Sequence, residues 1–118
     1  MAAVSTAFPR ERRLRTAKDY SRVFGGAERS SDRFFTVLAR LNGLSTARLG
    51  LAISRRVAPR AVDRNRLRRL ARESFRQLTL ARLDYVVMAR KDALDAPNPT
   101  IRDSLDRHFV RLSERAKI

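Results

Sequence analysis

The amino-acid sequence predicts an α/β fold of the α+β kind, a two-layer sandwich in which helices pack on one sheet. The chain has 118 residues, enough for one domain around one core, and its hydrophobic content of 43% is that of a globular protein. Apolar periodicity indicates the order helix, strand, strand, helix, strand, helix. We divide the chain into a basic, flexible arm at residues 1–15, a single α/β domain at 16–115 and a tail at 116–118.

The first predicted element is a short helix. Thr16 and Asp19 have the spacing of a capping box, with Asp where Glu or Gln is usual. The helix runs through Phe24, and Gly25 and Gly26 end it.

Two strand-like segments follow. Residues 34–41, FFTVLARL, have the composition and length of a strand. Residues 48–54, RLGLAIS, alternate between large apolar side chains on one face and small ones on the other. Residues 42–46, NGLST, have the chemistry of a turn. We therefore expect the two strands to form a hairpin.

The second half of the chain predicts a long helix, a strand and a last helix. The long helix covers residues 60–80, after a loop that contains a proline. Residues 84–90, DYVVMAR, are almost wholly apolar at their centre, as in a strand that is buried on both faces. Asn98 suits an N-cap and Pro99 a first helical position, so the last helix is expected over residues 100–115.

Positive charge is concentrated in the long helix and the loop before it. From Arg55 to Arg76 there are nine arginines and two acids, a local excess of 9 − 2 = +7 within a total of +15. One face of the predicted helix is apolar, because its residues recur at helical spacing: Leu67, Leu70, Ala71, Ser74, Phe75 and Leu78. The opposite face carries Asn65, Arg68, Arg69, Arg72 and Arg76. A polyanion is the expected partner.

The composition excludes several classes of function. The chain has no cysteine, which excludes disulfides and thiolate metal sites, and it has one histidine, so a protein-based nuclease has few groups to use. We expect this residue, His108, at the surface or its boundary, and Asp103 and Asp106 on a solvated helix face. No apolar run reaches the length of a membrane span. We expect a reducing, cytoplasmic setting without a membrane partner.

The basic segment also carries an extended motif. It comprises Arg55-Arg56, Ala61-Val62, the run from Arg64 to Arg69 (RNRLRR), Arg72-Glu73 and Phe75-Arg76. Further matching positions are Leu14, Asp19-Tyr20, Val23-Phe24, Arg48-Leu49-Gly50, Asp84 to Val87 and Ala89-Arg90. Together these residues resemble the protein subunit of bacterial ribonuclease P over residues 10–112.

This resemblance implies a mixed sheet of about four strands, with the additional strand near residues 29–33, and a left-handed βαβ crossover, against the usual right-handed rule. It implies a subunit of an endoribonuclease that binds the catalytic RNA and helps it to remove the 5′ leader of precursor tRNA. The chemistry is expected from the RNA and its Mg²⁺ ions, while the protein improves substrate affinity and metal use.

Two groups of site residues are expected. The RNA-binding group consists of Arg55, Arg56, Arg64, Asn65, Arg66, Arg68, Arg69, Arg72 and Arg90. The alternative for the basic helix is a solvated face with surface ion pairs, but its two acids are too few for that pairing. We expect Glu73 to pair with Arg69 or Arg76 at helical spacing.

The second group belongs to a cleft between the first helix and the small-residue strand face, where the resemblance places the leader. Its members are Tyr20, Phe24, Phe34, Thr36, Leu38, Ala52 and Ser54. Phe34, Thr36 and Leu38 share the cleft-facing side of their strand if Phe35 and Val37 point to the core. Small side chains admit a close nucleic-acid backbone, and bases can stack on aromatic rings. The alternative is that Tyr20 and Phe24 are core contacts of an amphipathic helix. Leu38 is aliphatic where relatives often present an aromatic or polar residue.

Other functional classes lead to different expectations. A structural RNA-binding protein of ribosomal type would share the basic helix but would not depend on a leader. A DNA-binding regulator would use the helix in a major groove, but the strands around the helix do not suit a compact helix-turn-helix. DNA is therefore not an expected partner, and an independent protein enzyme has the least support.

Overall fold

A computed structural model describes residues 10–116, and these form one mixed sheet with helices on both faces. The elements are α1 (Ala17–Phe24), β1 (Glu28–Ser31), β2 (Phe35–Leu41), β3 (Arg48–Leu51), α2 (Ala61–Gln77), β4 (Leu83–Ala89) and α3 (Asn98–Arg115). Short 3₁₀ turns occur at Arg10–Arg12 and Lys91–Leu94. The predicted α+β class and the additional strand are confirmed.

The strands have the order β1-β2-β4-β3, with β2 antiparallel to both of its neighbours and β3 parallel to β4. The predicted hairpin of β2 and β3 is therefore wrong, because β4 lies between them. The composition of β4 gives the reason: from Tyr85 to Ala89 its side chains are apolar or aromatic towards both faces, so the strand is most stable where it has a neighbour on each edge. A βαβ crossover through α2 joins β3 to β4. Its expected left-handedness stays a prediction.

One face of the sheet holds the main core, under α2 and α3. The predicted inward residues Phe35 and Val37 are completely buried there. Phe75, Tyr85 and Phe109 meet edge to face, with ring centroids 5.4–5.7 Å apart. Such aromatic contacts add to the burial of apolar area, so this core fixes both long helices against the sheet.

The residues before α1 belong to the fold, in contrast to the flexible arm that was expected. Leu14 is buried, and its amide donates to the Leu49 carbonyl at 2.9 Å. Arg13 forms a parallel bridge with Leu49. The capping box of Thr16 and Asp19 is confirmed by reciprocal hydrogen bonds. The rest of the expected arm, residues 1–9, and residues 117–118 of the expected tail lie outside the described residues.

A buried polar cluster joins β1 to α3, and it corrects the expectation for the only histidine. His108 is 2% exposed. Its Nδ1 lies 2.7 Å from the Ser30 hydroxyl, and its Nε2 lies 3.1 Å from Asp32 Oδ2, so a neutral ring protonated on Nε2 would accept from Ser30. Burial lowers the pKa of His108, although the carboxylate of Asp32 opposes this shift. The cluster therefore favours a neutral imidazole, which suits a structural role.

Asp32 predicts an acid-sensitive contribution to stability. Burial alone would raise its pKa, but hydrogen bonds from Ser104 and from the amides of Phe35 and Phe34 outweigh burial and lower the pKa to about 2. Because this value is below the ordinary 3.8, the contribution is present above the ordinary pKa and is lost as the pH falls through the folded value.

We therefore expect the melting temperature of Asp32→Asn to fall less steeply between pH 4 and pH 2 than that of the unchanged chain. Thermal melts followed by circular dichroism across this range measure the difference. The exposed Asp95→Asn is the matched control and should retain the original slope. Parallel curves for the Asp32 variant and the unchanged chain would contradict the assignment.

Candidate RNA interface

On the sheet face that carries α1, side chains from neighbouring strands form three rows. The strand register places Arg40, Asp84 and Arg48 in the first row, Leu38, Val86 and Gly50 in the second, and Thr36 beside Met88 in the third. The rows differ in chemistry: the first is ionic, the second is apolar and the third is mixed. This order decides where α1 lies and where the sheet stays open.

Helix α1 covers the second row. Val23 is completely buried in a small cluster with Leu14 and Val86. The ring of Tyr20 lies on Gly50, where an added Cβ would be only 2.8 Å from the Tyr20 ring and from Leu14. Gly50 is thus needed for helix packing, and the expectation that its open side admits a nucleic-acid backbone is wrong, because protein side chains fill that space.

Tyr20 is fixed to the sheet at both ends of its side chain. Its hydroxyl accepts a hydrogen bond from the Leu51 amide at 3.1 Å, while its ring packs on Gly50. The ring is only partly exposed. The geometry therefore supports the structural alternative for Tyr20, and its predicted role in stacking stays a prediction.

The third row is open and forms the floor of a cleft. A cavity of about 440 Å³ lies here, with Thr36, Leu38 and Met88 in its floor. Phe24 borders it from the end of α1 and is 50% exposed, so this ring is free to stack. Arg29 and Arg90 contribute positive charge at the same cavity, as expected of Arg90 but not of Arg29. No acid is among the residues that line it within the described part of the chain.

Three other predicted cleft residues lie elsewhere. The expectation that Phe34 shares a face with Thr36 is wrong, since Phe34 packs against the main core on the opposite side of the sheet. The reason is local: both Phe34 and Phe35 donate their amides to Asp32 Oδ1, so a turn precedes β2 and ends the alternation. Ala52 packs beside α1, and Ser54 accepts from a loop amide; neither lines the cavity.

Helix α2 is amphipathic, as the spacing predicts. Its buried face consists of Leu67, Leu70, Ala71, Ser74 and Phe75. Ser74 donates to Asp106 of α3, so Asp106 is partly buried at a helix contact, in contrast to the solvated position that was expected. Glu73 pairs with Arg102 of α3 at 3.8 Å. These contacts fix the orientation of α2 and leave its other face to solvent.

Arg64 is used within the protein to hold the start of α2. One of its guanidinium nitrogens donates to the carbonyls of Ala58 and Pro59, at 2.9 and 2.8 Å. These carbonyls belong to the loop that enters the helix. Arg64 therefore stabilises that loop. Its other guanidinium donors could still contact RNA, and this contact stays a prediction.

Arg66 links α2 to the start of α3. Its Nε donates to Asn98 Oδ1 at 2.8 Å, and its two terminal nitrogens donate to the carbonyls of Ala96 and Leu94. Pro97 is the N-cap of α3, so the prediction that Asn98 caps this helix is wrong. The Asn98 side chain is instead the acceptor for Arg66. The donors of Arg66 are thus largely occupied inside the protein.

Beside Tyr20, arginines of α2 and of the N-terminal segment meet at a small cavity of about 120 Å³. Its cationic residues are Arg13, Arg68 and Arg72. Burial lowers the pKa of Arg72, and repulsion from Arg13 and Arg68 lowers it further. Nothing in the sequence pattern connects Arg13 with α2; the pairing of Arg13 with Leu49 brings it there. An anion at this cavity would relieve the repulsion.

Other arginines of the predicted group point to solvent. Arg55, Arg56 and Arg69 are exposed and make no hydrogen bond or ion pair with the residues that the structure describes. Asn65 is exposed as well and accepts from Arg68 at 3.4 Å. The outer face of α2 and the loop before it therefore present free guanidinium forks, which suit phosphate oxygens.

The described residues provide no group of three or more acidic or histidine side chains that could hold a metal ion. Within residues 10–116, no helix has the length and apolarity to span a membrane.

The fold, the open cleft and the arginine-rich helix define a small α+β protein that binds RNA. Comparison with known proteins identifies the family: the chain belongs to the Ribonuclease P family, whose model matches residues 8–113. It is 50% identical over 113 residues to the "Ribonuclease P protein component" of Thioalkalivibrio sulfidiphilus, which covers 94% of each chain. It is 48% identical to the protein of the same name from Methylococcus capsulatus, over 92% of this chain and 86% of that one.

Solved structures agree with this assignment. The RNase P protein of Staphylococcus aureus superimposes with a TM-score of 0.79 at 26% identity, over 87% of this chain and 95% of that one. The protein from Thermotoga maritima gives 0.72 at 30% identity, over 87% and 96%. The family resemblance of the sequence is thus confirmed. The function is that of the protein component of ribonuclease P, an endoribonuclease of tRNA 5′ processing whose RNA subunit carries out catalysis. The RNase P RNA is its partner, and the ribosomal alternative does not fit.

Proposed function

We propose that the exposed face of α2 docks on the RNase P RNA while the cleft beside α1 binds the 5′ leader of precursor tRNA. The observation that carries this proposal is the open third row of the sheet, bordered by a free aromatic ring and by two arginines. The two surfaces adjoin, because Tyr20 of α1 lines the small cavity that Arg68 and Arg72 of α2 also line.

The cleft has the chemistry that a single strand requires. A base can stack on Phe24, and stacking on an aromatic ring is worth about 1–3 kcal/mol per base without strong sequence preference. Arg29 and Arg90 can neutralise phosphates at the same cavity, while the Thr36 hydroxyl, which accepts from Ser31 at 3.0 Å, adds a polar group to its floor. Mature tRNA has no leader, so these contacts would be gained by the precursor alone.

Selectivity for the precursor follows from this arrangement. The protein adds binding free energy through the leader, on top of the contacts that the RNA subunit makes with the tRNA body. A site that binds only one of two substrates increases the discrimination between them by the binding free energy of that site. We therefore expect the protein to favour precursor over product.

We also propose that the Mg²⁺ ions of the reaction are bound mainly by the RNA subunit. Guanidinium groups line the proposed interface, and these repel a divalent cation, whereas Mg²⁺ prefers oxygen ligands. The proposal implies a cytoplasmic protein, since its partners are the RNase P RNA and precursor tRNA.

Reconstitution tests the proposed function. The purified chain, mixed with a bacterial RNase P RNA at low Mg²⁺, should stimulate 5′ cleavage of labelled precursor tRNA. Within this holoenzyme, Phe24→Ala should weaken affinity for leader-bearing substrate by about tenfold, from the loss of one stacking contact. Affinity for mature tRNA should stay the same.

The control is Val110→Ala, which removes another exposed apolar side chain, on α3. It should change neither affinity. Equal losses for both substrates with Phe24→Ala would assign the ring to the fold. Binding to the RNase P RNA without stimulation of cleavage would support a purely structural RNA-binding protein instead.

A further inference from the structure

The first row of the sheet contains a buried ionic cluster that the proposed leader site does not use. We call it the Asp84 cluster; it consists of Asp19, Arg22, Asn42, Arg48 and Asp84. Asp84 is 1% exposed. Arg48 binds it with two hydrogen bonds, Nε to Oδ1 at 2.8 Å and Nη2 to Oδ2 at 2.7 Å. Arg22 Nη2 donates to Oδ2 at 2.6 Å, and Asn42 Nδ2 donates to Oδ1 at 3.0 Å.

Two members of the cluster belong to α1, so the cluster fixes that helix to the sheet. Arg22 reaches Asp84 directly, and Asp19 lies 3.6 Å from Arg48. Helix α1 has only eight residues. A helix of this length is marginal by itself and takes its position from tertiary contacts. Its apolar contacts with the sheet are few, chiefly Val23 and the ring of Tyr20, and the ionic contacts therefore carry much of its attachment.

The cluster and the cleft lie on opposite sides of α1. Arg22 and Asp19 are three residues apart and contact the first row, where Arg40 also donates to the Arg22 carbonyl. Phe24 borders the cavity over the third row. Val23 packs on Val86 in the second row, between the contacts to the first row and the cavity over the third row. A shift of α1 across the strands would therefore move Phe24 relative to the cleft floor.

We propose that Arg22, through Asp84, is a positioning residue for leader recognition: the ionic contact on one side of α1 holds Phe24 at the correct distance from the cleft floor on the other side. This inference rests on the proposed binding of the leader in the cleft. In enzymes, misplacement of reacting groups by about 1 Å can cost about 100-fold in rate, and by the same geometric argument we expect a small shift of α1 to have a measurable effect on leader binding.

Arg22 is 43% exposed and could instead act by contacting a phosphate itself. The salt dependence of binding separates the two roles. Loss of a phosphate contact lowers the slope of log K against log salt by about 0.7–0.9. It also weakens the binding of every substrate that makes this contact. Loss of positioning weakens only the leader-bearing substrate and leaves the slope unchanged.

The test uses the holoenzyme reconstituted with a bacterial RNase P RNA, and measures the affinities for leader-bearing precursor and for mature tRNA over a series of salt concentrations. We expect Arg22→Ala to weaken precursor binding by about fivefold, with mature tRNA binding and the salt slope unchanged. Arg22→Lys, which keeps the charge but not the planar guanidinium group, should restore part of the loss. Lys18→Ala is the matched control, because it removes one positive charge from an exposed position on the same helix.

The outcomes distinguish this inference from the proposed function. If the unchanged holoenzyme discriminates between the two substrates and Arg22→Ala retains full discrimination, the positioning role is overturned while the leader site stands. If the unchanged holoenzyme does not discriminate, both proposals fail. A lower salt slope in Arg22→Ala, or an equal loss in Lys18→Ala, would assign the effect to charge alone and would also overturn the positioning role. If Arg22→Ala does not fold, Arg22→Lys replaces it in the test. The loss of affinity in Arg22→Lys must then be confined to precursor tRNA.

Discussion

Simultaneous replacement of Arg68, Arg69 and Arg72 by glutamine is expected to weaken binding to the RNase P RNA by about 100-fold and to reduce the salt slope by about 2 to 3. The slope follows from three phosphates at about 0.9 each for a duplex, or about 0.7 each for a single strand. Equilibrium binding measured between about 50 and 200 mM salt gives both quantities. Phosphate contacts change the affinity strongly over this range. The fold should be retained, because none of the three side chains belongs to the buried face of α2, and the change removes the repulsion between Arg68 and Arg72.

Arg64 and Arg66 are left out of this variant for a structural reason. Their guanidinium groups hold the segments that precede α2 and α3, so their replacement would combine loss of RNA contacts with loss of structure. The control replaces three exposed arginines that pair with acids: Arg33, Arg107 and Arg115, beside Asp92, Asp103 and Glu28. It removes the same net charge from another surface. An equal loss in this control, or an unchanged slope in the α2 variant, would contradict a specific interface on α2.

The second large effect concerns stability. Asp84→Ala is expected to lower the free energy of unfolding by about 3 kcal/mol, because removal of the buried carboxylate breaks both hydrogen bonds of the mostly buried Arg48 guanidinium and leaves it only Asp19, at 3.6 Å, as a counter-charge. Burial tends to raise the pKa of Asp84, but hydrogen bonds from Arg48, Asn42 and Arg22 lower it overall, which indicates that the ionised form is the stable one. Since single domains have about 5–15 kcal/mol of stability, this loss is a large share of the total.

Urea unfolding followed by circular dichroism measures this loss through the midpoint of the transition. The exposed Asp95→Ala should change stability by less than about 0.5 kcal/mol, as is usual for surface positions. A change below about 1 kcal/mol for Asp84→Ala would show that the cluster contributes little to the fold.

The elements that the sequence predicted well are those whose signal is local. The apolar series of α2 and the capping box of Thr16 and Asp19 each lie within one element, and both occur in the structure as expected. The alternation of β2 placed Phe35 and Val37 in the core correctly. Such patterns repeat with the period of a helix or strand, so they are readable before any long-range contact is known.

The errors arose where a distant part of the chain decides the outcome. The hairpin of β2 and β3 was wrong because β4, more than thirty residues further on, takes the place between them. His108 was expected near the surface, but β1 covers it with Ser30. Phe34 was assigned to the cleft by extending the alternation of β2 by one residue, and a turn at Asp32 ends that alternation. The first two contacts join distant segments and have no local signature; the turn at Asp32 is the exception, because its hydrogen bonds span only two and three residues.

The candidate site shows the same division. The charge of α2 and the presence of an RNA partner could be predicted from composition and motif. The structure decided which arginines remain available, because the donors of Arg64 and Arg66 are used by carbonyls of neighbouring loops while Arg69 is free among the described residues. It also separated two rings that were both predicted for the cleft: Tyr20 is fixed on Gly50, and Phe24 faces the cleft.

The sequence by itself determined the class of the fold, the amphipathic basic helix and the family, since these depend on composition, periodicity and a long motif. Only the tertiary structure decided the strand order, the partners of the buried charges and the open part of the sheet. The physical reason is that burial and hydrogen bonding of a side chain depend on which distant segments meet it, as Asp84 shows by joining donors from α1, β3 and the loop between β2 and β3.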